Sequence, residues 1–103
     1  MDRGRFIDIA TLEISTAVGG VDHLPAAVRE ALAKAAEQLS PIVISSAAFA
    51  SKLAMEIEEG MNFAGHRFDE MLTPEALKDM PVAVARGLRK AHQRCGRSHV
   101  RVL

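Results

Sequence analysis

With 103 residues the chain is long enough for one domain with a single modest core, and its formal net charge of zero at pH 7 leaves any electrostatic message to the distribution of charge. Four Phe with no Trp or Tyr hand the core to aliphatic side chains and Met, and the lone cysteine, Cys95, excludes an internal disulfide and fits a reducing cytoplasm. Met1-Asp2-Arg3-Gly4-Arg5 has no apolar signal core behind it and no uncharged run is long enough to span a bilayer, so the expectation is a cytoplasmic protein with no membrane segment.

Residues 6 to 18 are ambiguous in period. Ile7, Ala10, Ile14 and Ala17 make a helical stripe, whereas Ile7/Ile9 and Leu12/Ile14 alternate like strands. Gly19-Gly20 directly after the last apolar residue resembles a helix C-terminus and favours a first helix. Asp22-His23-Leu24-Pro25 then opens the next one, with Asp22 or Leu24 as cap and Pro25 in the first turn.

From Leu24 to Gly60 the larger or less polar residues fall at Val28, Leu32, Ala35, Leu39, Ile42, Ser46, Phe49 and Leu53, an uninterrupted four-three alternation. Between Glu37 and Lys52 there is no charge at all, which marks a core helix with little reason to face water. Ser40-Pro41 interrupts it, since an interior proline costs about 3 kcal/mol while Ser followed by Pro suits a cap and first helical position. No loop residues separate Leu39 from Ile42, so the stretch reads as one long helix with a proline kink, or two nearly coaxial ones. At about 1.5 Å per residue it spans roughly 54 Å, against a radius of gyration of about 13 Å for a domain of this size. The overhang predicts a homodimer, and the fold class expected is all-α: one helical domain, 1–103, a small bundle around the long, proline-kinked central helix.

Gly60 closes that helix after Glu56, Glu58 and Glu59, and Phe63, Phe68, Met71 and Leu72 suggest a short helix over Asn62 to Leu72. Thr73-Pro74-Glu75 restarts a helical turn with a threonine cap and proline at the first position. Met80-Pro81 breaks the path again; from there Val84, Ala85, Leu88, Ala91 and Cys95 form one stripe that Gly96 ends, leaving Ser98 to Leu103 as an extended tail that could pair as a strand.

Three groups of residues invite a chemical reading. His92, Cys95 and His99 have metal-ligand identities, but no nearby carboxylate completes the set and Gly96 parts His99 from the other two, so a buried cysteine with surface histidines is preferred and no metal is expected. His66 and Asp69 with Glu56 or Glu59 could form a general base, yet no nucleophile motif or glycine-rich phosphate loop accompanies them, and neither catalysis nor a cofactor is expected. The third group is the basic stripe Arg86, Arg89, Lys90 and Arg94. All 13 acidic residues precede it, and with Arg97 and Arg101 it gives the tail a positive charge that the rest of the chain balances. Such a stripe can neutralise phosphates, be solvated, or meet an acidic protein surface; with no helix-turn-helix or aromatic stacking surface beside it, the protein-partner or solvated reading is favoured over nucleic acid.

The run Val28-Arg29-Glu30-Ala31-Leu32, with Ala35-Ala36, Leu39-Ser40, Ile42-Val43, Ser51, Ala54 and Ile57, resembles the central helix of a small phage anti-CRISPR family that blocks the helicase-nuclease of type I-E CRISPR systems. The resemblance implies an all-helical homodimer that binds a host protein and inhibits it without chemistry. Pro41 and Pro81 depart from the family, and beyond Gly60 only a short Val-Arg-Val ending is shared, so no partner-contacting residue carries over. The expected function is thus a non-enzymatic phage or mobile-element protein acting in a bacterial cytoplasm on a CRISPR interference component, a type I nuclease or surveillance subunit. Glu56, Glu58 and Glu59 are candidate contacts to a basic groove, and Arg86, Arg89, Lys90 and Arg94 to an acidic one. The alternative is a small helical regulator that binds nucleic acid through the basic helix.

Overall fold

The computed structural model of the chain describes residues 3–38, 47–65 and 67–100, with side chains throughout except at 38, 68, 69 and 96–100. Five helices are found among them: α1 Arg3–Ala17, α2 Leu24–Gln38, α3 Ala47–Phe63, the single turn α4 Phe68–Met71, and α5 Pro74–Val100. The fold is a small all-α bundle. Its four long helices form a ring in which α1 packs on α2 and α5, and α3 packs on α2 and α5. One hydrophobic cluster runs through the middle, and the radius of gyration is 13.3 Å.

The ambiguity in α1 resolves as a helix, and the side chains show why. Alternation would place Leu12 and Ile14 on one face, yet Ile14 is fully buried while Leu12 is 62% exposed. The buried set Phe6, Ala10 and Ile14 instead repeats every four residues. The helix stops where the glycines stand: Gly19 N–H donates to the Thr16 carbonyl and Gly20 N–H to the Ser15 carbonyl, with φ of 99° and 69° at the two glycines. This pairing is a Schellman cap, and its left-handed backbone is accessible to glycine without a Cβ penalty.

The long central helix is not formed. Residues 39–46, including Ser40-Pro41 and the stripe positions Leu39, Ile42 and Ser46, lie outside the described residues, but α2 and α3 on either side pack against each other along their lengths. Ala27, near the start of α2, sits 3.7 Å from where a Cβ on Gly60 would be, near the end of α3, while Ala35 and Glu37 share a groove with Phe49 and Lys52 at the opposite ends. The two helices are therefore antiparallel. An extended helix would leave Val28 and Leu32 far from Ile57 and Met61; the hairpin buries all four in one core. Periodicity reports which face of a helix is apolar and carries no information on the direction of the next helix. The argued overhang, and with it the geometric reason for a homodimer, goes with the long helix. Ala47, Ala48 and Ser51 are exposed, so the uncharged stretch does meet water.

Other boundaries also differ from those read in the sequence. Gly60 lies inside α3, half-buried against Ala27, and the helix runs on to Phe63, whose side chain is 95% exposed. The helix expected over Asn62 to Leu72 contracts to Phe68–Met71. Most markedly, Pro81 and Gly96 do not interrupt α5, which is helical through Val100 where an extended tail was expected. An interior proline costs about 3 kcal/mol, but burial of an aliphatic side chain returns about 1.5–3 kcal/mol, and Met80, Val84 and Leu88 are all essentially buried on one face of α5. Continuity places all three in the core at once. The start of α5 is as expected: Thr73 Oγ1 accepts from the Ala76 N–H at 3.1 Å, with Pro74 at the first helical position.

Candidate functional site

The α2–α3 hairpin carries an open trough on its outer side. Its floor is made by small residues, Ala27, Ala31 and Ala35 from α2 and Gly60 from α3, together with Phe49 and Leu53. The four-residue repeat of the alanines keeps this side of α2 thin along its axis. Glu30, Lys34 and Glu37 stand along α2, and Lys52, Glu56 and Glu59 along α3, with Phe63 at one end. The trough has two lobes of about 290 and 270 Å³ that share Ala31, Lys34 and Glu56, so it is one continuous feature. Among the described residues none of its six charged side chains has an ion-pair partner. Four carboxylates against two ammonium groups make it acidic.

Of the acidic residues singled out in the sequence, Glu56 and Glu59 line this trough, whereas Glu58 projects from α3 elsewhere and is exposed. Sequence reasoning missed Glu30, Lys34, Glu37 and Lys52, because their convergence needs the antiparallel hairpin. The signal available was the Ala27-Ala31-Ala35 repeat flanked by Glu30-Lys34-Glu37.

The basic stripe on α5 is divided by its neighbour α1. Lys90 Nζ donates to Glu13 Oε2 at 3.1 Å, and Arg94 Nη2 stands 3.6 Å from Glu13 Oε1. Arg86 and Arg89 are exposed and have no ion-pair partner among the described residues. The sequence left open whether these cations face solvent or an acidic body, and the two halves of the stripe take different answers. A further ion pair, Arg29 to Asp8, ties α2 to α1.

Elsewhere His92 is exposed and meets the Phe6 ring edge-on, with centroids 6.4 Å apart, and Cys95 is half-buried. The side chains of His99, His66 and Asp69 lie outside the described residues, so the third metal-ligand candidate and the general-base pair have no geometry to report. Among the described residues no group of three or more His, Cys, Asp or Glu converges as a metal site, and no helix is long and apolar enough to cross a membrane. Comparison with known proteins adds no family to this description. No family model, curated protein or solved structure matches the chain.

Proposed function

We propose that the chain is a non-enzymatic phage or mobile-element protein that binds a host protein in the bacterial cytoplasm and inhibits it, with no cofactor and no turnover. The observation that carries the reading is the acidic α2–α3 trough, whose charges have no ion-pair partner among the described residues. Ionised groups on an open surface of a packed bundle are suited to a partner that supplies complementary charge, which governs the rate and specificity of encounter. The pairing of Lys90 and Arg94 with Glu13 favours a protein partner over nucleic acid, because a phosphate backbone would have to compete with that carboxylate for half of the stripe. The narrower target, a type I CRISPR nuclease or surveillance subunit, rests on the resemblance of Val28 to Ile57 alone, as does the homodimer.

A pull-down from a bacterial lysate containing type I CRISPR proteins, washed at high salt, tests the proposal. Recovery of the nuclease or a surveillance subunit supports it. Recovery of nucleic acid alone would overturn it in favour of the regulator that binds through Arg86, Arg89, Lys90 and Arg94.

A further inference from the structure

We infer that the α2–α3 trough is the docking surface and that its occupant is an amphipathic basic helix of the partner protein. The inference rests on the protein-binding reading above and names the chemistry of the segment bound. Two features of the trough define the occupant.

The first is shape. From Ala27 to Glu37 the trough follows α2 for about 15 Å at about 1.5 Å per residue, which matches roughly three turns of a helix. An antiparallel helix pair with small residues along the seam offers a third helix a groove parallel to its own axis, the arrangement by which helices pack ridge into groove. The second is charge. Glu30 on one wall faces Glu56 and Glu59 on the other, Glu37 stands at the far end beside Lys52, Lys34 lies where the two lobes meet, and none has an ion-pair partner among the described residues. A helix with an apolar or small stripe for the floor and Lys or Arg on both flanks satisfies the carboxylates. Its acidic counterpart would set like charges against four glutamates.

A second copy of this chain does not meet these requirements with its own basic helix. In the ring of helices, the outer side of the α2–α3 hairpin is turned away from the α1–α5 pair, where Lys90 and Arg94 already hold Glu13. Placing the α5 of one copy in the trough of another would join different sides of the two copies, a head-to-tail contact that gives a ring or a filament and not a two-fold dimer.

The test is a titration of the ¹⁵N-labelled full chain with two synthetic helical peptides that share an Ala/Leu stripe and differ only in carrying Lys and Arg, or Glu, on the flanks. The basic peptide is expected to bind at least about tenfold tighter than the acidic one, with amide shifts concentrated at Ala31, Lys34, Ala35 and Leu53. Two variants, Glu56→Lys with Glu59→Lys, and Glu30→Lys with Glu37→Lys, are each expected to abolish or invert that preference while retaining the helical circular dichroism of the parent. Either pair suffices should the other not fold. Equal binding of both peptides, binding of neither, or shifts confined to α1 and α5 would overturn the inference. Peptides that fail while the lysate pull-down recovers a host protein would refute the trough and leave the inhibitor standing; peptides that bind while the pull-down yields no host protein would do the reverse.

Discussion

Gly60 and Gly87 both lie inside helices, yet replacing each with alanine is expected to move stability in opposite directions. Alanine gains about 0.5–1 kcal/mol over glycine in a helix interior, because the unfolded chain has less conformational freedom to lose. At Gly60 nothing opposes the gain, since a Cβ there meets Ala27 Cβ at 3.7 Å, an ordinary contact, and Gly60→Ala should stabilise by about 0.5–1 kcal/mol. At Gly87 a Cβ would lie 2.6 Å from Ile14 Cγ1 and 3.1 Å from the Ala10 carbonyl oxygen. Ile14 is fully buried and branched at Cβ, so it has few rotamers with which to withdraw, and the oxygen belongs to the backbone of α1. Overpacking of this kind costs about 1–3 kcal/mol, which exceeds the propensity gain and leaves Gly87→Ala destabilised by about 0.5–2 kcal/mol. Urea titration followed by circular dichroism measures both variants directly, and melting should show a displacement of about 4–8 °C per kcal/mol. A cycle with Ile14→Ala removes the closer contact and leaves the Ala10 carbonyl, so in that background Gly87→Ala should cost less than in the parent, a coupling of about 0.5–3 kcal/mol. Gly87→Ala as stable as the parent, or equally destabilising with and without Ile14→Ala, would refute the close α1–α5 approach.

Thr11 Oγ1 and Ser15 Oγ are buried with no hydrogen-bond partner among the described residues, so Thr11→Val, which keeps the shape, should stabilise by about 1 kcal/mol in the same denaturation assay. Phe49→Ala should destabilise by about 3–5 kcal/mol, because the ring is 4% exposed at the α2–α3 seam; a loss below about 1 kcal/mol would contradict that packing. A double-mutant cycle of Glu13→Gln with Lys90→Gln should return a coupling of only about 0.2–1 kcal/mol that fades with salt, as befits a pair whose lysine is half-exposed. Binding to a mixed oligonucleotide at low salt should be weak, and weaker still with Arg86 and Arg89 both changed to alanine; tight, steeply salt-dependent binding lost in that double variant would favour the nucleic-acid reading.

What the sequence disclosed was local. Gly19-Gly20 and Thr73-Pro74 marked real helix boundaries because capping is decided by a few neighbouring backbone groups. The stripe of Val84, Leu88 and Ala91 likewise named the buried face of α5. Pro81 and Gly60 misled for one shared reason: both are poor helix residues by local propensity, and both sit where packing outweighs it, beside Met80 and Val84 in one case and against Ala27 in the other. The hairpin was hidden because the phase that runs from Val28 to Leu53 is the same whether the chain continues or turns back. The site inherited that blindness. Glu56 and Glu59 were legible as charges at one end of a helix, but the trough they line exists only once α2 returns alongside α3.

The claim that the protein acts by stoichiometric binding is tested most directly by titrating it into a reconstituted type I interference reaction and measuring target DNA cleavage. If the protein binds without turnover, cleavage falls in proportion to added protein, is lost near equivalence with the limiting CRISPR component, and is restored by adding more of that component. Full cleavage at a large excess of the protein would contradict the CRISPR target, and inhibition that deepens with time at trace protein would contradict binding without turnover.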